Sequence, residues 1–268
     1  MNHIISNNKF MFSNEFKWDI SDGLLYGYGV FETILLKDNK LIYLREHYDR
    51  LIKSVEKLKI NMDLNFEQLN SSLNFYIQKN SLENSILRVT IFKNSDSFDI
   101  LITHRENKYN SSHYKLGFKM EISEFKRNPS SILSGIKSVN YLENIYALRE
   151  AKKLGSHEVL FLDYKNYVSE GATSNIFFIK DKIIYTPTKE CGLLQGIIRR
   201  KVIDIIETNK NLQLKQGFFS LKKLLEADEV FLTNSIMGIM PVSKIKHTTY
   251  DLKKNHITNL LIEKLNKY

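Results

Sequence analysis

Asp22-Gly-Leu-Leu-Tyr-Gly27-Tyr-Gly29-Val30-Phe31-Glu32-Thr33-Ile-Leu-Leu36 sets two glycines one residue apart in front of a run rich in β-branched and aromatic residues. A dinucleotide fingerprint needs a third glycine and a helix behind it. Here the third glycine is missing, and the alternation across residues 30–36 predicts a strand. The chain then turns at Asp38-Asn39 into a second extended run at 41–44. A nucleotide-binding βα unit is not what this segment builds.

Outward from it, Tyr48, Leu51, Ile52, Val55 and Leu58 fall at helical spacing and predict a helix over 46–59. Phe66, Leu69, Leu73 and Ile77 mark a second helix, and strands follow at 86–92 and 99–103. Residues 105–112 are a polar run of the kind that links domains. Beyond it Leu116, Phe118, Met120 and Ile122 alternate as a strand, and 140–154 reads as a helix ended by Gly155. Residues 159–162 and 176–179 read as buried strands, with Lys180-Asp181 turning the second into 182–186. Gly196 opens a helix whose apolar positions include Ile198, Val202, Ile205 and Ile206. Residues 229–233 form another buried strand, and the tail from about Lys253 is an amphipathic helix. Strands and helices mix in both halves without a regular βαβ rhythm, which predicts α+β packing. The chain of 268 residues exceeds what one core usually serves. Two domains are expected, 1–108 and 114–268, with a linker at 109–113.

Composition excludes several classes of function. Hydrophobic residues make up 43% and charged residues 26%, so large-scale disorder is not expected. No stretch approaches the roughly 20 apolar residues of a membrane span. The opening Met-Asn-His-Ile lacks the basic region and apolar run of a secretory signal. A single cysteine, Cys191, forbids an internal disulfide framework and fits a reducing compartment, so the expected location is cytoplasmic. The net charge of +9 is spread along the chain among acidic neighbours. No zinc-finger spacing, RNA-recognition octamer or basic arm accompanies it, so nucleic acid is not an expected partner. Attraction of anionic substrates is the more economical reading of the charge. The seven histidines show no HExxH or comparable spacing, and no metal site is expected. Gln195-Gly-Ile197-Ile198-Arg199 enters a helix, where the N–H groups of Ile197 and Ile198 can face a phosphate. Taken alone, most such helix starts bind nothing.

The segment 22–33, followed by His47-Tyr-Asp-Arg50-Leu51, resembles the N-terminal signature of class IV aminotransferases. Ile136-Lys137-Ser-Val-Asn-Tyr141-Leu, Val168-Ser-Glu170-Gly-Ala-Thr-Ser-Asn175-Ile-Phe177, Tyr185-Thr-Pro187 through Arg199, and Phe231-Leu-Thr-Asn-Ser235 through Val242 are similar to that family in the same order. The resemblance covers residues 20 to 245 and implies a two-domain fold-type IV pyridoxal 5′-phosphate enzyme. Such an enzyme has a small α/β sandwich domain, a larger pseudo-barrel domain, a small-molecule amine as substrate and a homodimeric assembly.

The resemblance also implies roles. Lys137 is the Schiff-base lysine; by composition alone it is one surface lysine among many. Glu170 falls where the family keeps a carboxylate against the pyridine nitrogen, which makes the ring an electron sink. Arg50 matches the arginine that holds the cofactor phosphate, with Ile197 and Ile198 adding backbone N–H groups and Ser235 a hydroxyl. Many relatives carry threonine at the Ile198 position, so one phosphate contact is absent here. Tyr141 stands where some relatives bring a phenol to the cofactor O3′.

The family divides into transaminases for branched-chain or D-amino acids and 4-amino-4-deoxychorismate lyase. Phe31-Glu32-Thr33, Arg127-Asn-Pro-Ser130 and Thr233-Asn-Ser235 with Gly238 and Pro241-Val242 look like the lyase. Thr33 is then the candidate for protonating departing pyruvate, and a strand-pairing threonine is the equal alternative. Residues 93–99 form a short loop without the glycine-rich, arginine-bearing stretch of many members, which leaves recognition of substrate carboxylates unassigned.

Overall fold

Asp38 and Asn39 both adopt positive φ, 49° and 60°, the geometry of a tight hairpin whose twist matches its strands. In the computed structural model this hairpin joins β3 (Gly29–Lys37) to β4 (Lys40–Leu41). The structure describes residues 3–6, 9–12, 21–94 and 97–267. Contacts divide the chain into two units, Met1–Lys108 with Ile136–Asn140, and Tyr109–Gly135 with Tyr141–Tyr268. The short stretch containing Lys137 therefore groups with the N-terminal unit and not with the segment from 114 onward.

The first unit is built on a six-stranded antiparallel sheet in the order β2-β1-β6-β5-β3-β4. It comprises β1 (His3–Ser6), β2 (Lys9–Phe12), β3, β4, β5 (Ser85–Lys93) and β6 (Phe98–Arg105). Three helices accompany it: α1 (Asp22–Tyr26), α2 (Leu44–Lys57) and α3 (Phe66–Lys79). Asn65 and Gln68 close a capping box at the start of α3, which fixes that boundary. Leu51 and Val55 of α2 and Leu69 and Leu73 of α3 are buried at the predicted helical spacing, and Tyr76 of α3 is buried in place of the expected Ile77.

The second unit holds α4 (Ser111–Leu116), β7 (Phe118–Arg127), α5 (Leu142–Lys153), β8 (Glu158–Asp163), β9 (Val168–Gly171), β10 (Asn175–Lys180) and β11 (Ile183–Pro187). It continues with α6 (Ile197–Glu207), β12 (Gln213–Gly217), α7 (Leu221–Leu225), β13 (Glu229–Asn234), β14 (Gly238–Ile245), β15 (Thr248–Thr249) and α8 (His256–Leu265). Its sheet runs β12-β11-β10-β13-β14-β7-β8-β9, with β15 paired to β14. Phe118, Leu160, Val168, Phe178, Tyr185, Val230 and Met240, from seven different strands, share one core, as a curled half-barrel requires. Phe177 and Phe231 are cross-strand partners whose rings stack at 4.9 Å.

The run expected to be extended over 41–44 keeps only Leu41 in a strand, and Leu44 already begins α2. Two further expectations change. Leu116 is not in a strand: it ends α4, which Asn110 caps with its side chain, and it is 72% exposed. The helix read as starting near Lys253 begins at His256, because Asp251 first caps a short 3-10 turn at Leu252–Lys254. In the loop at 93–99, Ser95 and Asp96 lie outside the described residues. Among the described residues no helix is long and apolar enough to cross a membrane, and no cluster of His, Cys, Asp and Glu could hold a metal.

The start of α8 is satisfied from a strand. Glu229 of β13, 5% exposed, accepts the N–H of Ile257 at 3.0 Å and of Thr258 at 2.7 Å. Glu229→Ala leaves both donors without that acceptor and should cost about 1–3 kcal/mol. Urea unfolding checks this; an unchanged midpoint would show that α8 docks without the carboxylate.

Candidate active site

Lys137 lies beside the start of β3. Its carbonyl accepts the Phe31 N–H at 2.8 Å, Ser138 bridges to Val30, and the Val139 N–H donates to Gly29 at 3.0 Å. The side chain is half-buried, with Nζ 4.4 Å from the centre of the Phe31 ring. The guanidinium of Arg88, from β5, lies 3.7 Å from the same ring, and its Nε donates to the Thr90 hydroxyl. Thr33 pairs with Arg88 across the two strands and, two residues from Phe31, shares its face of β3. Lys137, Phe31, Thr33 and Arg88 thus form one positively charged corner.

The other face of β3 carries Glu32, 1% exposed. Arg50 of α2 reaches it with two bonds, Nε to Oε1 at 2.7 Å and Nη2 to Oε2 at 2.6 Å. His47, one helical turn before Arg50, places Nδ1 at 2.6 Å from Oε2. Among the described residues, His47 Nε2 is buried with no hydrogen-bond partner. Burial opposes ionisation of Glu32, yet the Arg50 guanidinium and His47 overcome it and bring the pKa down to about 2. Burial holds His47 below its usual value against the pull of Glu32, with the positive charges of Arg50 and Lys137 adding to the depression.

In the second unit Glu170 is 9% exposed. Oε1 lies 3.3 Å from Arg127 Nη2, and Oε2 accepts the Leu194 N–H at 2.9 Å. Arg127 also donates to Asn144 Oδ1 at 3.0 Å and rests 4.0 Å over the Phe161 ring. Asn144 in turn donates to the Ala172 carbonyl at 2.7 Å, and the Tyr141 hydroxyl donates to the same oxygen at 2.5 Å. Burial first, then the charges of Glu170 and Glu158, pushes the Tyr141 phenol up. The turn after Glu170 is moulded on the buried carboxylate of Glu158. That group accepts from the N–H of Val159, Ala172 and Thr173 and from the hydroxyls of Thr173 and Ser174.

The start of α6 has the features of an anion site. Gly196 caps it without a side-chain bond, no acidic residue occupies the first turn, and Ile197 and Ile198 are both buried. Ser235 stands half-buried in a turn that Asn234 organises, its Oδ1 accepting the N–H of Ile236 and Met237 at 2.9 Å each. The structure thus gathers Lys137, Thr33 and Arg50 in one unit. Glu170, Tyr141, Ile197, Ile198 and Ser235 belong to the other.

The family model for amino-transferase class IV matches residues 29–245. The chain belongs to the class IV aminotransferase family. It is 30% identical to the aminodeoxychorismate lyase of Bacillus subtilis (strain 168), over 89% of this chain and 85% of that one. It is 27% identical to the D-alanine aminotransferase of Staphylococcus haemolyticus, over 100% of this chain and 98% of that one. The branched-chain amino acid aminotransferase of Escherichia coli superposes with a TM-score of 0.89 at 25% identity, over 99% of this chain and 93% of that chain. The fold is fold-type IV, and the cofactor of the family is pyridoxal 5′-phosphate.

This class IV enzyme carries donors that fit such a group. The N–H groups of Ile197 and Ile198, at a helix start without a side-chain cap, suit a phosphate. Sequence reading missed Arg88, whose signal was an arginine within the otherwise uncharged 86–92 strand. It also missed the pairing of Arg127 with Glu170, 43 residues apart, which no local pattern encodes.

The Glu32 cluster makes stability depend on pH. A carboxylate with a depressed pKa stabilises fully above its unfolded value, 4.5, and loses that contribution as pH falls towards 2. Depressed His47 acts in the same direction, because the unfolded chain takes its proton first as pH drops through 6.5. At pH 7, Glu32→Gln should be less stable than the parent by about 3–5 kcal/mol, since the buried Arg50 guanidinium loses its anion and neutral His47 its hydrogen-bond acceptor. Urea titrations at several pH values should show this gap narrowing between pH 5 and 2.5. A constant gap would sink the coupling.

Proposed function

We propose that the chain is a pyridoxal-phosphate-dependent 4-amino-4-deoxychorismate lyase, working as a cytoplasmic homodimer in the formation of 4-aminobenzoate for folate. The observation that carries the reading is Thr33 on the face of β3 that also carries Phe31, over which Lys137 lies. A lyase must deliver a proton to the departing enolpyruvyl group, and a hydroxyl near the base suits that step. The 30% identity to an aminodeoxychorismate lyase supports it.

In this reading Lys137 Nζ is the covalent attachment point of the cofactor and, once released by the substrate amine, the base. The bound cofactor supplies an electron sink for charge developing at the carbon that bears the substrate nitrogen. Lys137 removes the proton from that carbon, and the carbon–oxygen bond to the enolpyruvyl group breaks. The ring becomes aromatic, and Thr33 directs a proton to the methylene of the leaving group, which ends as pyruvate. Glu170, held by Arg127 and Leu194, keeps a proton at the ring nitrogen. Arg50, oriented by its two bonds to Glu32, and the N–H groups of Ile197 and Ile198 hold the phosphate, with Ser235. Tyr141, whose hydroxyl donates to the Ala172 carbonyl, would offer its phenol to the cofactor O3′. Arg88 takes a substrate carboxylate, the role that the loop at 93–99 left open.

Supplied with 4-amino-4-deoxychorismate, the loaded enzyme should release 4-aminobenzoate and pyruvate in equal amounts without a keto acid. Transfer from D-alanine or leucine to 2-oxoglutarate, with no 4-aminobenzoate, would overturn the lyase reading. Borohydride should fix the pyridoxyl group on Lys137, and Lys137→Ala should carry no label.

Arg88→Gln should raise KM roughly tenfold or more, the value of one charge-assisted bond, with a smaller change in kcat. An unaltered KM in steady-state assays would remove Arg88 from substrate recognition.

A further inference from the structure

We propose that Asn175 is a positioning residue for the cofactor phosphate, acting together with Glu170 through Leu194. The proposal rests on the reading above in which Glu170 meets the ring nitrogen and the start of α6 meets the phosphate.

Asn175 opens β10 and is 4% exposed. Its Nδ2 donates to the Leu194 carbonyl at 2.7 Å, while the Leu194 N–H donates to Glu170 Oε2 at 2.9 Å. Residues 170 and 175 bracket a single turn, so both polar groups of Leu194 are gripped from its two ends. Two residues later comes Gly196, the cap of α6. A Cβ at Gly196 would stand 2.1 Å from Asn175 Oδ1, so the amide lies flush against the residue that starts the helix. The gripping turn has little freedom of its own. Glu158 binds the N–H groups of Ala172 and Thr173 and the hydroxyls of Thr173 and Ser174. The Thr173 carbonyl accepts from Asn234 at 3.2 Å.

These contacts tie the direction of residues 194–196, and hence the aim of the Ile197 and Ile198 N–H groups, to the Asn175 amide as well as to the Glu170 carboxylate. Phosphate binding by backbone donors is directional, so a small rotation of the helix start weakens it. Attachment of the aldehyde at a lysine does not require that aim. Loss of the Asn175 amide should therefore weaken recognition of the phosphate while sparing that of the ring.

The test titrates the cofactor-free protein with pyridoxal 5′-phosphate and with pyridoxal, following the visible absorbance of the lysine adduct. Asn175→Ala should lose tenfold or more in affinity for the phosphorylated ligand, roughly the worth of one charge-assisted bond, and keep its affinity for pyridoxal. Gly196→Ala should show the same selective loss. In an Asn175→Ala background Gly196→Ala should cost less, because the atom it meets is gone. Thermal melts report folding, and if Asn175→Ala does not fold, the two titrations of Gly196→Ala decide alone. An unchanged ratio of the two affinities, or an equal loss of both, overturns the positioning role. A parent protein with no preference for the phosphorylated ligand, or Glu170→Ala binding both ligands as the parent does, overturns the underlying reading instead.

Discussion

Glu158 is a carboxylate with almost no access to water, 1% exposed, and it must be satisfied where it stands. Five donors do so, and four of them come from residues 172–174. Burial still pushes its pKa up, with the hydrogen bonds from Thr173, Val159 and Ser174 pulling the other way. The geometry this forces on the turn has consequences on both sides. Gly171 has no room for a side chain, since a Cβ would approach Ser174 Oγ to 2.4 Å. The Ala172 carbonyl faces Tyr141 and Asn144, and Asn144 passes the constraint to Arg127 and so to Glu170. A polar network of this kind rigidifies when fully satisfied and is costly when partly broken.

The two units solve the problem of a buried acid differently. Glu158 is held by neutral donors, whereas Glu32 is held by a guanidinium and an imidazole, and their pKa values move in opposite directions. An ion pair buried this well does not by itself argue for stability, because desolvation offsets much of the attraction. Its effect is orientation. Two bonds donated to Glu32 fix the plane of the Arg50 guanidinium, and a planar fork fixed in advance loses less freedom when it meets an anion.

Most of the secondary structure was legible because period and punctuation agreed. The alternation in 30–36, the helical spacing in 48–58 and Gly155 at φ 76° after α5 each reflect a local rule. Gln213–Gly217 escaped notice: it is a polar edge strand, paired in parallel with β11, and has no apolar face to show. Leu116 misled because an apolar residue in phase with a strand can equally end a helix. Among the candidate site residues, motif order supplied Lys137, Arg50 and Glu170. The groups that position them were invisible for a common reason: Glu32 with Arg50, Arg127 with Glu170, and Asn175 with Leu194 are 18, 43 and 19 residues apart. His47 and Arg50 did leave a trace, being three apart on one helix face and opposite a buried acid on a strand.

Lyase and transaminase chemistry share the attachment lysine, the carboxylate at the ring nitrogen and the phosphate site, so none of these can divide the two activities. They part after the first proton is removed. A transaminase returns it to the cofactor, whereas a lyase already has a leaving group whose departure makes an aromatic ring. The dividing feature must then lie where the substrate body rests. In the proposed reading that is the corner made by Phe31, Thr33 and Arg88 beside Lys137. Arginine beside an aromatic ring favours an anionic substrate over a small amino acid with an apolar side chain. By that argument the choice of reaction is written on β3 and β5, while the carboxylate proposed to sustain the electron sink sits on β9.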